Sequence, residues 1–186
     1  IRTNTYGPDL KAFNINDQFK RVERDDQRRT LLHWAAAARY RHDKYIEVMK
    51  LLLEHPGIVD LNVLDAKKTA ALHYAVSHNN LEALQLLIKA GAKLDLRGDV
   101  MRYTALHMAT SPFIAFEKKE SQNMAKILLD AGASPNVVDR DGKSVLMFAL
   151  EHPRISGEAD DEYQLIKWLL ARGADPNGRD RLRTTP

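Results

Sequence analysis

The chain has 186 residues, 44% hydrophobic and 28% charged, which is enough for one domain with a substantial buried core. Its formal net charge of +3 does not demand a polyanionic partner. The absence of cysteine removes disulfide frameworks, thiolate chemistry and cysteine-based zinc sites, and no run approaches the roughly 18 apolar residues of a membrane span. An intracellular domain with no membrane segment is the expectation.

In chain order, residues 1–23 come first and stand apart from the pattern that follows. Asp9 after Pro8 reads as a helix start, and Leu10, Phe13, Phe19 and Val22 form a candidate apolar stripe. This segment is expected to be an N-terminal cap or a degenerate half-repeat. Then one motif recurs: TLLHWAA at 30–36, AALHYAV at 70–76, TALHMAT at 104–110 and SVLMFAL at 144–150. The last has Met147 where the others have histidine. The leading residues Thr30, Ala70, Thr104 and Ser144 lie 40, 34 and 40 residues apart. Asp25, Asp65, Asp99 and Asp139 each precede them by five, and Asn62, Asp95 and Asn136 precede the later three by eight or nine. The same projection brings Asn177, Asp180 and Thr185 into register, so a fifth copy opens and halts at TTP. Together with a start at Ile1, this leads us to expect a fragment whose natural protein continues for at least one more repeat.

Each copy has the same internal order. A polar turn with Asp precedes a short Ala-rich helix. A second helix carries apolar residues at helical spacing, as in Leu81, Leu84, Leu87 and Ile88 or Met124, Ile127 and Leu128. KAGAKLD, DAGASPN and ARGADPN follow, and Gly91, Gly132 and Gly173 suit the left-handed position that ends a helix.

This pattern resembles the ankyrin repeat, whose signature is T-P-L-H-x-A at a period near 33 residues. The resemblance covers roughly residues 24–186. It implies an all-α ankyrin-repeat solenoid of about four full repeats plus a truncated fifth, with short hairpin fingers. The expected repeats are 24–63, 64–97, 98–137 and 138–178, with the fifth starting at 179–186. Such units stack because none buries its apolar face alone. The uneven lengths and the ending LEHPGIVDLN of the first repeat also resemble inhibitors of NF-kappaB transcription factors. Repeat 2 departs from the pattern at Ala70, where a capping Thr is expected; a lost N-cap costs on the order of 1 kcal/mol.

The recurrent histidines admit a metal or catalytic reading and an architectural one. Stacked repeats would space His33, His73 and His107 on the order of 10 Å apart. Zinc needs ligands converging at about 2.0–2.1 Å. The resemblance implies instead that these rings make structural hydrogen bonds between neighbouring repeats. Arg97-Gly98-Asp99 spells an adhesion tripeptide, but Asp99 is the finger aspartate of repeat 3. His152 with Asp160, Asp161 and Glu162 hints at a metal cluster; Asp161-x-x-Gln164 is better explained as a capping box opening a helix that contains Trp168. Without a Gly-rich phosphate loop or a nucleophile arrangement, no catalytic residue, metal ligand or cofactor is assigned.

Segments 39–44, 111–121 and 152–162 enlarge the connections between paired helices. The middle one carries Phe113, Ile114 and Phe116, which either cover neighbouring helices or offer a partner an aromatic anchor. In the ankyrin finger pattern D-x-x-G-x-T, Gly survives only as Gly142 and is replaced by Arg28, Lys68, Arg102 and Arg183. A left-handed conformation there would cost roughly 1–2 kcal/mol for each non-Gly residue. The expectation is therefore a type I turn without positive φ.

The resemblance implies partner contacts beside the finger aspartates and at the ends of the first helices. The candidates are Arg28, Arg29, Lys67, Lys68, Arg102, Arg140 and Lys143 as a basic stripe, Val100, Met101 and Tyr103 as an apolar fingertip, and Phe113 with Phe116. Arg97, Arg179 and Arg181 add charge nearby, and interleaved aspartates leave a merely solvated mixed face as the competing reading. The expected function is a non-catalytic scaffold for a protein or an acidic peptide. The alternative is a targeting or substrate-recruitment module of a larger enzyme or channel. Nucleic acid is the disfavoured partner, and the oligomeric state stays open.

Overall fold

The computed structural model describes residues 27–38, 42–54, 59–111, 118–151 and 159–186. Candidates Phe113 and Phe116, the 1–23 segment, Asp25 and most of the 152–162 segment lie outside these residues. The helices are α1 Leu31–Ala37, α2 His42–Leu53, α3 Ala71–Ser77, α4 Leu81–Lys89, α5 Ala105–Thr110, α6 Lys118–Asp130, α7 Val145–Glu151 and α8 Ala159–Ala171. Among the described residues there is no β-strand, only the isolated bridges Gly98–Tyr103 and Val138–Ser144. No described helix is long and apolar enough to cross a membrane.

Consecutive helices pair as α1–α2, α3–α4, α5–α6 and α7–α8, and the pairs stack. The short helices form one row, α1 on α3 on α5 on α7, and the longer ones form a second, α2 on α4 on α6 on α8. The repeated motif explains both rows. Leu32, Leu72, Leu106 and Leu146 are buried at one motif position, and Ala35, Ala75, Ala109 and Ala149 occupy another, letting the short helices approach closely. Met49, Leu84, Leu87, Met124, Leu128 and Leu169 complete the core from the second row. A buried Leu or Met contributes roughly 1.5–3 kcal/mol, so the stack is held mainly by these apolar contacts between units.

Polar groups set the register of the stack. In α1, α3 and α5 the histidine Nδ1 accepts the backbone N–H three residues earlier, from Thr30 at 3.0 Å, Ala70 at 3.2 Å and Thr104 at 3.3 Å. That acceptor role leaves the proton on Nε2. Nε2–H then donates into the next repeat: from His33 to the Thr69 carbonyl (3.0 Å), from His73 to the Leu96 (3.0 Å) and Tyr103 (3.2 Å) carbonyls, and from His107 to the Lys143 carbonyl (3.3 Å). Each buried ring is thus a hydrogen-bonded tie between units. Ala70 leaves its backbone N–H capped by His73, but lacks the hydroxyl that Thr104 offers to the His107 N–H.

A second ladder runs along the far ends of the repeats. Asn62 accepts the Lys93 N–H, Asp95 the Ser134 N–H and Asn136 the Asp175 N–H, at 2.8, 3.0 and 2.8 Å. This is the physical role of the recurrent Asn/Asp position. Gly91, Gly132 and Gly173 adopt φ of 88°, 97° and 82°. Each helix end closes with paired bonds such as Ala92 N–H to Leu87 C=O and Gly91 N–H to Ile88 C=O, a Schellman arrangement. Buried Asn80 caps α4 through Ala83 N–H and donates to the carbonyls of Ala36 and Ala38 at the end of α1.

Two outcomes follow from the histidine ties. His107→Ala strands the Thr104 N–H and removes the tie to the Lys143 carbonyl, which keeps only the Asp139 N–H, and should lower stability by about 1–3 kcal/mol in urea titration, with helical content retained in native buffer. Burial pushes the pKa of all three imidazoles down, backbone acceptors opposing it in part. The folded chain therefore refuses protons that the unfolded chain takes up. Stability should be flat above about pH 6.5 and decline as pH falls below it, and the decline should shrink in His→Gln variants.

Candidate interaction surface on the fingers

Fingers 2 to 5 are each built by their aspartate. Asp65 Oδ1 accepts the N–H groups of Lys67 and Thr69, both at 2.8 Å, while its own N–H donates to the Thr69 carbonyl. The Lys68 N–H returns to the Asp65 carbonyl at 3.0 Å, a turn bond from residue i+3 to residue i. Asp139 holds Asp141 and Lys143 the same way, and Asp180 holds Thr184. Closing the hairpin one residue after the turn forces the intervening residue into the left-handed region.

Here the structure departs from the expected relaxed turn. Arg28, Lys68, Arg102 and Arg183 have φ of 52°, 61°, 62° and 63°, beside 83° for Gly142. The local preference argued against this conformation, but carboxylate and backbone bonds over-determine it.

Finger 3 differs by one residue of register. Its closing bond runs from Gly98 N–H to the Tyr103 carbonyl at 2.7 Å, and Asp99 itself takes φ 56°. The cause lies in the preceding repeat: a Cβ at residue 98 would stand 2.9 Å from His73 Nε2. Only Gly lets that ring reach both of its carbonyls. Val100 follows the finger aspartate, a position exposed also in Ala66, Arg140 and Arg181, and is itself 74% exposed. Tyr103 instead packs edge-on against Phe148, 5.2 Å between centroids, and stacks with His107 at 6.0 Å. Burial, with the Asp139 and Asp99 charges adding to it, pushes the Tyr103 hydroxyl pKa up.

Backbone bonds join the fingers edge to edge. Ala66 N–H donates to Gln27 C=O (2.7 Å), Asp99 to Lys68 (3.3 Å), Arg140 to Met101 (2.8 Å) and Arg181 to Asp141 (2.9 Å). Across this row opens a cleft of about 760 Å³ bordered by Lys67, Lys68, Arg97, Arg102, Arg140 and Arg181. Among the described residues Asp99 is the one carboxylate on its wall, and its Oδ1 is held by the Met101 and Arg102 N–H groups. Among the described residues, none of the six cations forms an ion pair within 4 Å. A chain of net charge +3 thus gathers six positive side chains at one place.

The cleft sorts the sequence candidates. Lys67, Lys68, Val100, Arg102 and Arg140 line it. Arg28 holds the first finger's left-handed position, and Arg29 lies 4.1 Å over the Trp34 ring. Met101 serves its neighbour through its carbonyl, Tyr103 packs inward, and Lys143 gives its carbonyl to His107. Arg97 and Arg181 join the wall although the sequence showed them only as nearby charge; Arg181 shares with Arg140 the position after the finger aspartate. Among the described residues no group of three or more His, Asp or Glu side chains is placed to hold a metal.

The comparisons with known proteins agree with this geometry. The family model "Ankyrin repeats (3 copies)" matches residues 37–112, and "Ankyrin repeat" matches 101–140. An ankyrin repeat-containing protein of Treponema pallidum is 31% identical over 140 residues, 75% of this chain and 41% of the relative. Palmitoyltransferase AKR1 of Kluyveromyces lactis is 34% identical over 102 residues, 53% of this chain and 13% of the relative. The crystal structure of the ankyrin repeat domain of Bcl-3, a member of the IkappaB protein family, superposes with a TM-score of 0.68 at 26% identity, covering 86% of this chain and 62% of that one. The chain spans less than half the length of these two curated relatives.

The strained cations yield a direct check. Gly at residue 102 would remove the left-handed penalty of about 1–2 kcal/mol but add roughly 0.5–1 kcal/mol of unfolded-state entropy. Arg102→Gly should therefore raise stability by about 0.5–1 kcal/mol in chemical denaturation, and Lys68→Gly should act likewise.

Proposed function

Because this chain belongs to the ankyrin repeat family, a family of protein-interaction modules, we propose that it is a non-catalytic scaffold that reads an acidic segment of a partner protein along its finger row. The observation that carries this reading is the cleft, where cations from four successive fingers face one space without ion-pair partners among the described residues. Charge complementarity of that kind steers encounter and selects partners. The stacked rows beneath it bring the fingers to the partner already ordered, so little conformational entropy is lost on docking. Val100 stands beside the cations as the apolar contact.

A second reading is supported by the partial coverage of the relatives, one of which is a palmitoyltransferase of which the matched part is only 13%. In that reading the same finger row recruits a substrate to an enzyme or channel whose chemistry lies elsewhere. The two readings share the surface and differ in what the rest of the protein does.

Binding of fluorescein-labelled oligoglutamate, followed by anisotropy, tests the surface. Lys67→Glu/Arg140→Glu should weaken it by more than about tenfold. Lys89→Glu/Lys93→Glu, equal in charge but on α4 and its exit turn, should leave it nearly unchanged. Equal losses in both variants would reduce the effect to bulk charge and remove the finger assignment.

A further inference from the structure

Four of the six cations around the cleft are arginines: Arg97, Arg102, Arg140 and Arg181. A guanidinium presents a planar fork of donors that engages a carboxylate or a phosphoryl group through two parallel bonds. The cleft draws these forks from three successive fingers: Arg97 and Arg102 from finger 3, Arg140 from finger 4 and Arg181 from finger 5. Concentrated positive charge matches a concentrated anion. A phosphomonoester carries about −1.5 to −2 at neutral pH on three acceptor oxygens, about twice the charge of a carboxylate.

Lys68 and Arg102 keep positive φ, at 61° and 62°, where the equivalent residue of finger 4 is Gly142. Arg28 and Arg183 share that conformation away from the cleft wall, so it belongs to the finger turn; its consequence at the cleft is that two charged side chains stand where glycine would display none.

The surroundings favour a peptide over a nucleic acid. A single strand needs aromatic faces on which its bases stack. Among the described residues no aromatic side chain lines the cleft, and Tyr103, the aromatic residue of finger 3, is packed against His107 and Phe148. The wall offers the exposed side chain of Val100, suited to an aliphatic neighbour of the anion.

Resting on the finger-row reading above, we propose that the cleft receives a phosphorylated serine or threonine in an extended segment of the partner, so that phosphorylation of the partner controls assembly. The probe is a short fluorescein-labelled alanine–glycine peptide with a central valine–phosphoserine pair, compared with its unphosphorylated twin by anisotropy at near-physiological salt. The phosphopeptide should bind at least about tenfold more tightly. Arg102→Gly/Arg140→Ala should erase that difference while its melting temperature stays at or above the wild-type value, so that loss of binding is not loss of fold.

The oligoglutamate experiment separates the two levels. Oligoglutamate binding with equal affinity for the two serine peptides would overturn the phosphate assignment and leave the finger-row reading standing. Failure of every anionic probe would overturn both. A single-stranded oligonucleotide of the same formal charge binding more tightly than the phosphopeptide would also overturn the assignment. So would inorganic phosphate binding as tightly as the phosphopeptide, since the peptide would then contribute nothing.

Discussion

The interaction on which the structure depends is a buried imidazole held in one tautomer. In three successive repeats the ring accepts a hydrogen bond from its own helix start and donates one to the next repeat. The ring fills core space, satisfies an otherwise orphaned N–H at the helix start, and fixes the distance to the following finger. Apolar contacts supply most of the stacking free energy but are tolerant of sliding. A hydrogen bond to one named carbonyl is not, and through it the core specifies where the fingers stand.

That coupling is most visible at His73. Its ring presses on Gly98 and reaches two carbonyls, Leu96 and Tyr103. Finger 3 closes one residue out of step with fingers 2, 4 and 5, and Tyr103 packs against Phe148. A core contact in repeat 2 thereby shapes the chemistry displayed by repeat 3. The inter-finger backbone bonds extend the effect, because the bond from Asp99 N–H to the Lys68 carbonyl is displaced by the same one residue relative to those of its neighbours.

The left-handed cations show how local and collective energies compete. Taken alone, a non-Gly residue at positive φ disfavours the ankyrin turn, which is why the sequence pointed to a relaxed form. Fingers 2, 4 and 5 instead keep the turn, because the Asp carboxylate, the hairpin closure and the bond to the adjacent finger all require the same conformation. Several bonds of about 0.5–1.5 kcal/mol each outweigh one penalty of roughly 1–2 kcal/mol. The consequence is electrostatic: positive side chains project from positions where glycine would display nothing.

The sequence by itself determined the repeating unit, its register and its helix ends. The Leu-His dipeptide, the finger aspartates, the Asn62–Asp95–Asn136 series and Gly91, Gly132 and Gly173 recur at fixed offsets, and local chemistry assigns each a role. Tertiary structure alone decided which charges share a space. Arg97 and Arg181 are 84 residues apart, yet they border one cleft, whereas Arg29 is drawn off to Trp34. Periodicity survives projection onto a line because every repeat obeys the same local rules. Convergence does not, because the side chains that meet across the fingers are brought together by the stacking of whole units.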